Sequence, residues 1–261
     1  ITILAGYENM GRLYRGIIEN SLRQYVLLGD GSVMTDGRKY NPSLKKNEVT
    51  DSESGIPDEK WEKFDPPPKI LHFLQVDPAA PRCADLDFYR SYLQPLDQWK
   101  ISDQNFAFGL GYFFHLITDN LWDRKIGIPT QNRFKSEFEA DPKFIWEVKR
   151  DWYGLDFEYV RKEPGSLFWR VFLNCRYNDD FLYFLPSRAV AERVDYIQKF
   201  YQHRDERIEN WYINRPNIYL KESEMDLFLS EAVEFLFNGY QFLQNNPDIS
   251  GKHSMLELNF S

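Results

Sequence analysis

Apolar residues recur along this chain at helical rather than strand spacing. Between positions 8 and 28, Leu13, Ile17, Ile18, Leu22, Tyr25, Val26 and Leu28 make a stripe that an amphipathic helix would bury. Positions 85–96 carry Leu86, Tyr89, Tyr92 and Leu93 on one side, with Pro95 near the end. Positions 106–125 differ, being apolar on nearly every side, as in a helix enclosed by others. Residues 138–157, with Phe144, Trp146, Val148 and Trp152, predict one or two more helices, and 167–172 is a short apolar stretch. Amphipathicity returns over 188–201 through Val190, Val194, Ile197 and Phe200. Ser223 reads as the N-cap of a last long helix, with Leu227, Phe228, Ala232, Phe235 and Leu236 on its inner face. No alternating run is long enough to anchor a sheet, and there is no internal repeat. The predicted fold class is all-α, a single-domain multi-helix bundle.

Polar segments divide the chain. Residues 29–60 are rich in Gly, Ser, Asn, Asp and Lys, with turn signals at Asp30-Gly31 and Asp36-Gly37, and predict a long loop or irregular hairpin. Long loops inside compact domains tend to be functional or disordered, and this one carries Asp51, Glu53 and Asp58 in a turn-prone context. Pro66, Pro67 and Pro68 stiffen the approach to His72. The expected organisation is an N-terminal helix and loop of uncertain role (1–46), a helical domain (47–244) and a loose polar tail (245–261).

Composition narrows the function classes. The net charge is −8, which argues against binding nucleic acid through its backbone, since that calls for clustered positive charge. A phosphoester substrate remains compatible, because a metal can supply positive charge locally. No apolar run reaches the roughly 18 residues of a membrane span. Two cysteines, Cys83 and Cys175, are too few for a disulfide scaffold, and no secretory signal is visible, so the expectation is a cytoplasmic protein with reduced thiols. Oligomeric state is not legible.

Candidate chemistry gathers on residues 106–125. His115 and Asp119 lie four positions apart and share a helix face. A carboxylate in apolar surroundings is costly unless it is paired, hydrogen-bonded or bound to metal. The chain has only four histidines, of which His72 and His115 stand among apolar neighbours, while His203 and His253 lie among charged or tail residues. With Asp51 from the acidic loop, two imidazoles and two carboxylates could converge on zinc or another divalent cation. A core histidine hydrogen-bonded to a helix aspartate explains His115 and Asp119 equally well. Trp61, Phe64, Phe73, Trp122, Trp152 and Tyr153 fall near these residues in sequence and read as a cleft lining or, more simply, as core.

Phe106-Ala107-Phe108-Gly109-Leu110-Gly111-Tyr112-Phe113-Phe114-His115-Leu116-Ile117-Thr118-Asp119 resembles the signature helix of the zinc-dependent phospholipase C and P1 nuclease superfamily, especially its bacterial members with an "lGYfxHLlTDnxW" pattern. Val49-Thr50-Asp51 stands in the place of the family's "iaPD" loop, with Thr50 where the proline would be. Pro67-Pro68-Lys69-Ile70-Leu71-His72-Phe73 is similar to the "Pp..tHF" segment, and residues 149–156 to a segment shared by bacterial relatives. The likeness covers residues 48–160 well and the C-terminal helices loosely.

The resemblance implies a helical bundle of phospholipase C type in which Asp51, His72, His115 and Asp119 hold one zinc. It further implies hydrolysis of a lipid or small-molecule phosphoester by zinc-activated water, with Asp51 as ligand and base. The ligands of the family's other metals have no match: no histidine precedes His72, and the next after Asp119 is His203. One ion is therefore expected, unless Asp123, Asp151 or Asp156 substitutes. Arg124, Lys125 and Trp122, just past the ligands, are candidate substrate contacts; the two cations read equally well as partners of the helix dipole. The rival expectation is a catalytically degenerate helical binding protein that retains one structural metal.

Overall fold

A computed structural model describes residues 38–40, 61–63 and 68–260, except positions 76, 78, 99–103, 142, 171, 175–181, 185–186, 203 and 247–248. The helix expected over 8–28 and the Asp51 loop lie outside the described residues. Two three-residue strands, β1 (Arg38–Tyr40) and β2 (Trp61–Lys63), pair antiparallel with Tyr40 opposite Trp61. Everything else described is helical or irregular, as the apolar spacing predicts.

The helices are α1 (Pro68–Leu71), α2 (Asp85–Tyr92), α3 (Gln104–Trp122), α4 (Ile128–Arg133), α5 (Lys135–Ala140), α6 (Ile145–Lys162), α7 (Leu167–Arg170), α8 (Ser187–Phe200), α9 (Glu206–Ile208) and α10 (Glu222–Asn245). Two five-residue π-helical turns, Asp123–Gly127 and Glu209–Ile213, prolong α3 and α9. Helix α3 is the axis of the bundle, with Phe108, Tyr112, Phe113, Phe114, Leu116, Ile117 and Leu121 all buried. It contacts α2, α10 and the Met255–Glu257 turn. Rings carry these contacts: Phe88 stacks on Tyr112 at 4.9 Å, Tyr89 meets Phe113 at 5.5 Å, and Phe114 meets Tyr240 edge-on at 6.4 Å.

A second group of rings, Phe157, Phe200, Tyr201 and Tyr212, packs between α6, α8 and the Glu209–Ile213 turn. Here the backbones nearly touch. A Cβ at Gly154 would stand 2.4 Å from the Tyr212 carbonyl oxygen, so only glycine fits that crossing.

Three expectations change. Helix α10 starts two residues earlier than Ser223 would cap it, because the Glu224 carboxylate reaches back to accept from the Lys221 amide at 2.8 Å. Leu227 points outward, since the inner stripe runs Met225, Phe228, Ala232, Leu236, Gly239 and Leu243 at three- and four-residue steps. The tail expected to be loose is instead packed into the bundle: Ile249, Ser254 and Met255 are buried. Gly239 of α10 makes room for it, since a Cβ there would lie 2.8 Å from the Met255 Cε. Polar composition misled because Ser254, although polar, is buried with its hydroxyl hydrogen-bonded inside the protein, while neighbours such as Lys252 and His253 stay exposed.

Candidate metal centre

Helix α3 presents Tyr112, His115 and Asp119 on one face, at spacings of three and four residues. The other donor comes from the short chain reversal after α1. Tyr112 anchors that reversal by donating its hydroxyl to the Leu71 carbonyl at 2.5 Å, and burial pushes the tyrosine's pKa up, so the donor stays protonated. His72 follows directly.

Phe73 then adopts φ 52°, the left-handed region that non-glycine residues enter at a cost of about 1–2 kcal/mol. Its ring offsets that cost by edge-on contacts with Phe88 at 5.5 Å, Phe184 at 6.0 Å and Tyr92 at 6.5 Å. Beyond it the chain forms a small hairpin, closed by a Leu74–Cys83 bridge and by Gln75 N–H donating to the Arg82 carbonyl at 3.0 Å. Asn120, next to Asp119 in sequence, clasps the far side of this hairpin. Its Oδ1 accepts from Cys83 N–H at 2.7 Å and its Nδ2 donates to the Cys83 carbonyl at 2.8 Å. The His72 turn is thus fastened to α3 at Tyr112 and again at Asn120.

These fastenings bring three donor atoms together. His115 Nε2 lies 3.4 Å and His72 Nε2 3.7 Å from Asp119 Oδ2. One ligand atom from each of the three residues falls within 4.8 Å of the others, so the group could hold a metal ion. Both separations exceed the ordinary hydrogen-bond range of about 2.7–3.2 Å. They suit a different geometry: ligands about 2.0–2.2 Å from a tetrahedral zinc stand roughly 3.4 Å apart. The residues present therefore fit a divalent cation with nitrogen and oxygen ligands. Both histidines are buried, whereas the Asp119 side chain is 26% exposed, leaving the site open on the carboxylate side.

The remaining candidates take other places. Asp51 lies outside the described residues, so the four-ligand set is present in three members. Trp122 is wedged edge-on between Trp152 and Phe228, each at 5.0 Å, and Phe73, Trp152 and Tyr153 also pack on the core, as the simpler reading of the aromatic excess expects. Lys125 reaches Glu231 of α10 at 2.5 Å, and Arg124 is exposed. Asp151 has structural work: its Oδ2 accepts from Tyr219 and Leu220 N–H groups at 2.5 and 3.2 Å, and Arg215 lies 3.0 Å from Oδ1. Asp156 accepts from the Tyr201 hydroxyl at 2.9 Å. Neither joins the His72–His115–Asp119 group, because each is on α6 and faces α8 or the 215–220 loop.

Sequence reasoning missed Tyr112, Asn120 and Asp85. The signal was available for Asn120, since a buried amide on a helix apolar all round must find several partners. It has four contacts: the two to Cys83, the Asp85 Oδ2 at 2.8 Å and the Ser254 Oγ at 3.2 Å. Asp85 is fully buried and meets only neutral donors, and burial raises its pKa to about 7. Burial, helped by the Asp119 carboxylate, also pushes the neighbouring Cys83 thiol up, so it stays protonated. No helix among the described residues is long and apolar enough to cross a membrane. Comparison of the chain with models of known protein families, with curated proteins and with solved structures finds no match.

Proposed function

We propose that this chain binds one zinc ion through His72, His115 and Asp119, with Asp51 as a fourth ligand, and hydrolyses a phosphoester. The observation that carries the reading is the spacing of the three donor atoms, too wide for hydrogen bonds and suited to a shared cation, with one edge open to solvent. A divalent cation held there would polarise a phosphoryl oxygen and lower the pKa of water. The protein's own share is orientation. Tyr112 and Asn120 hold the His72 turn against α3, and the partly exposed Asp119 marks the side from which a substrate approaches. Asp51 would serve as the base, as the resemblance of its loop to the phospholipase C family suggests.

The second reading, a helical binding protein with one structural metal, draws support from Lys125 and Trp122. Both have partners within the bundle that account for them without a substrate. One experiment separates the readings. Purified protein is assayed for zinc and for turnover of a chromogenic phosphodiester and a choline phospholipid, beside His115→Ala and Asp51→Asn. About one equivalent of zinc with turnover lost in both variants supports the hydrolase. Zinc without turnover leaves the binding protein, and no zinc in the parent protein overturns both.

A further inference from the structure

We propose that Asn120 is a positioning residue for the metal centre, and that through it metal binding is coupled to docking of the C-terminal segment 249–258. The inference rests on the metal-centre reading above and adds what controls it. Asn120 stands between the hairpin that carries His72 and the C-terminal segment, and bonds side-chain or backbone atoms of both. On one side it grips both backbone atoms of Cys83, whose strand bridge to Leu74 sets the turn carrying His72. On the other it donates to Asp85 Oδ2 and to Ser254 Oγ.

Ser254 in turn donates to Asp85 Oδ2 at 2.6 Å, and Met255 N–H donates to Asp85 Oδ1 at 2.8 Å. The carbonyl of His253 accepts from Leu86 N–H at 3.0 Å, so the tail is tied to the start of α2 by backbone as well. Asp85, Ser254 and Met255 have no solvent exposure, which leaves water no route to replace a lost bond. Removing the tail's hydroxyl shifts the amide of Asn120. A shifted amide moves Cys83, and with it the imidazole of His72 relative to Asp119. Coupling of this kind is reciprocal: a cation that fixes His72 against Asp119 steadies the tail by the same factor by which the docked tail strengthens cation binding.

The test uses the full chain, stripped of metal and titrated with zinc chloride by calorimetry. Asn120→Ala and Ser254→Ala are each expected to weaken zinc binding about 10- to 100-fold, the range typical of groups that orient ligands without touching the metal. Asp151→Asn disturbs a buried carboxylate on another helix and serves as the control, with zinc affinity expected to change less than about twofold. Hydrogen exchange is read alongside, and amides of residues 254–258 should gain protection when zinc is added to the parent protein. Parent protein that takes no zinc overturns the metal-centre reading itself. Zinc bound equally by the parent and both variants overturns the coupling alone, as does an equal loss in Asp151→Asn. Should Asn120→Ala fail to fold, Ser254→Ala and the exchange readout decide the matter.

Discussion

Asp119 and Asn120 are neighbours in sequence, yet they serve polar clusters of opposite character. The cluster around Asn120 is closed: the amide, the Asp85 carboxylate and the Ser254 hydroxyl satisfy one another at hydrogen-bonding distances, wholly out of solvent. In the cluster around Asp119, two imidazole nitrogens and a carboxylate oxygen face each other at 3.4 and 3.7 Å, with an edge exposed. Residue type does not separate them, since each has an aspartate among buried side chains. Spacing does. Polar atoms that serve the fold are drawn to hydrogen-bonding distance, whereas atoms held slightly farther apart around one point leave room for a guest.

That contrast can be broken most sharply on the open side. His115→Ala and Asp119→Ala should each lower zinc affinity by more than about a hundredfold, beyond the loss expected from an orienting group, as read by metal analysis after dialysis. Either variant retaining a full equivalent of zinc would assign the cluster to the core. On the closed side, Asp85→Ala should cost about 3 kcal/mol in urea denaturation, because three buried donors lose their acceptor. A loss below about 1 kcal/mol would mean that water enters the cluster.

The same carboxyl imposes a pH slope. Burial raises its pKa to about 7 in the folded protein from the ordinary aspartate value of 3.8, so between those limits the folded state keeps a proton that the unfolded chain has released. Asp85 therefore stabilises the fold most below about pH 4, and this contribution declines as the pH rises towards 7. Unfolding free energies measured across that window should fall more steeply in the parent than in Asp85→Asn, and equal slopes would refute the assignment. The smallest effect is expected at Lys125→Ala. Its pair with Glu231 is exposed to water, so stability should change by less than about 0.5 kcal/mol and zinc binding not at all.

Periodicity exposed the helices because each must bury a stripe, and α3 was plain since its apolar residues cover every side. Three of the four expected ligands stand where their motifs suggested, and two of these sit one helical turn apart, a spacing that any helix enforces. The start of α10 was misjudged by two residues because serine and glutamate both compete to satisfy the first amides, and Glu224 prevailed. The tail was misjudged for another reason. Hydropathy records what a residue prefers in isolation, and Ser254 is content in the interior because Asp85 and Asn120, far away in sequence, are there to accept from its hydroxyl and donate to it.

By itself, then, the sequence determined that the described residues are mostly helical, the one helix around which the rest packs, and the pair His115 and Asp119 upon it. Local periodicity and steric spacing are enough for these. Only the tertiary structure decided that His72 comes within 3.7 Å of that pair, that Lys125 turns to Glu231 and that the tail closes over α2 and α3. Those outcomes depend on which buried polar atoms find partners, and the partners come from segments whose separation along the chain carries no record of their nearness in space.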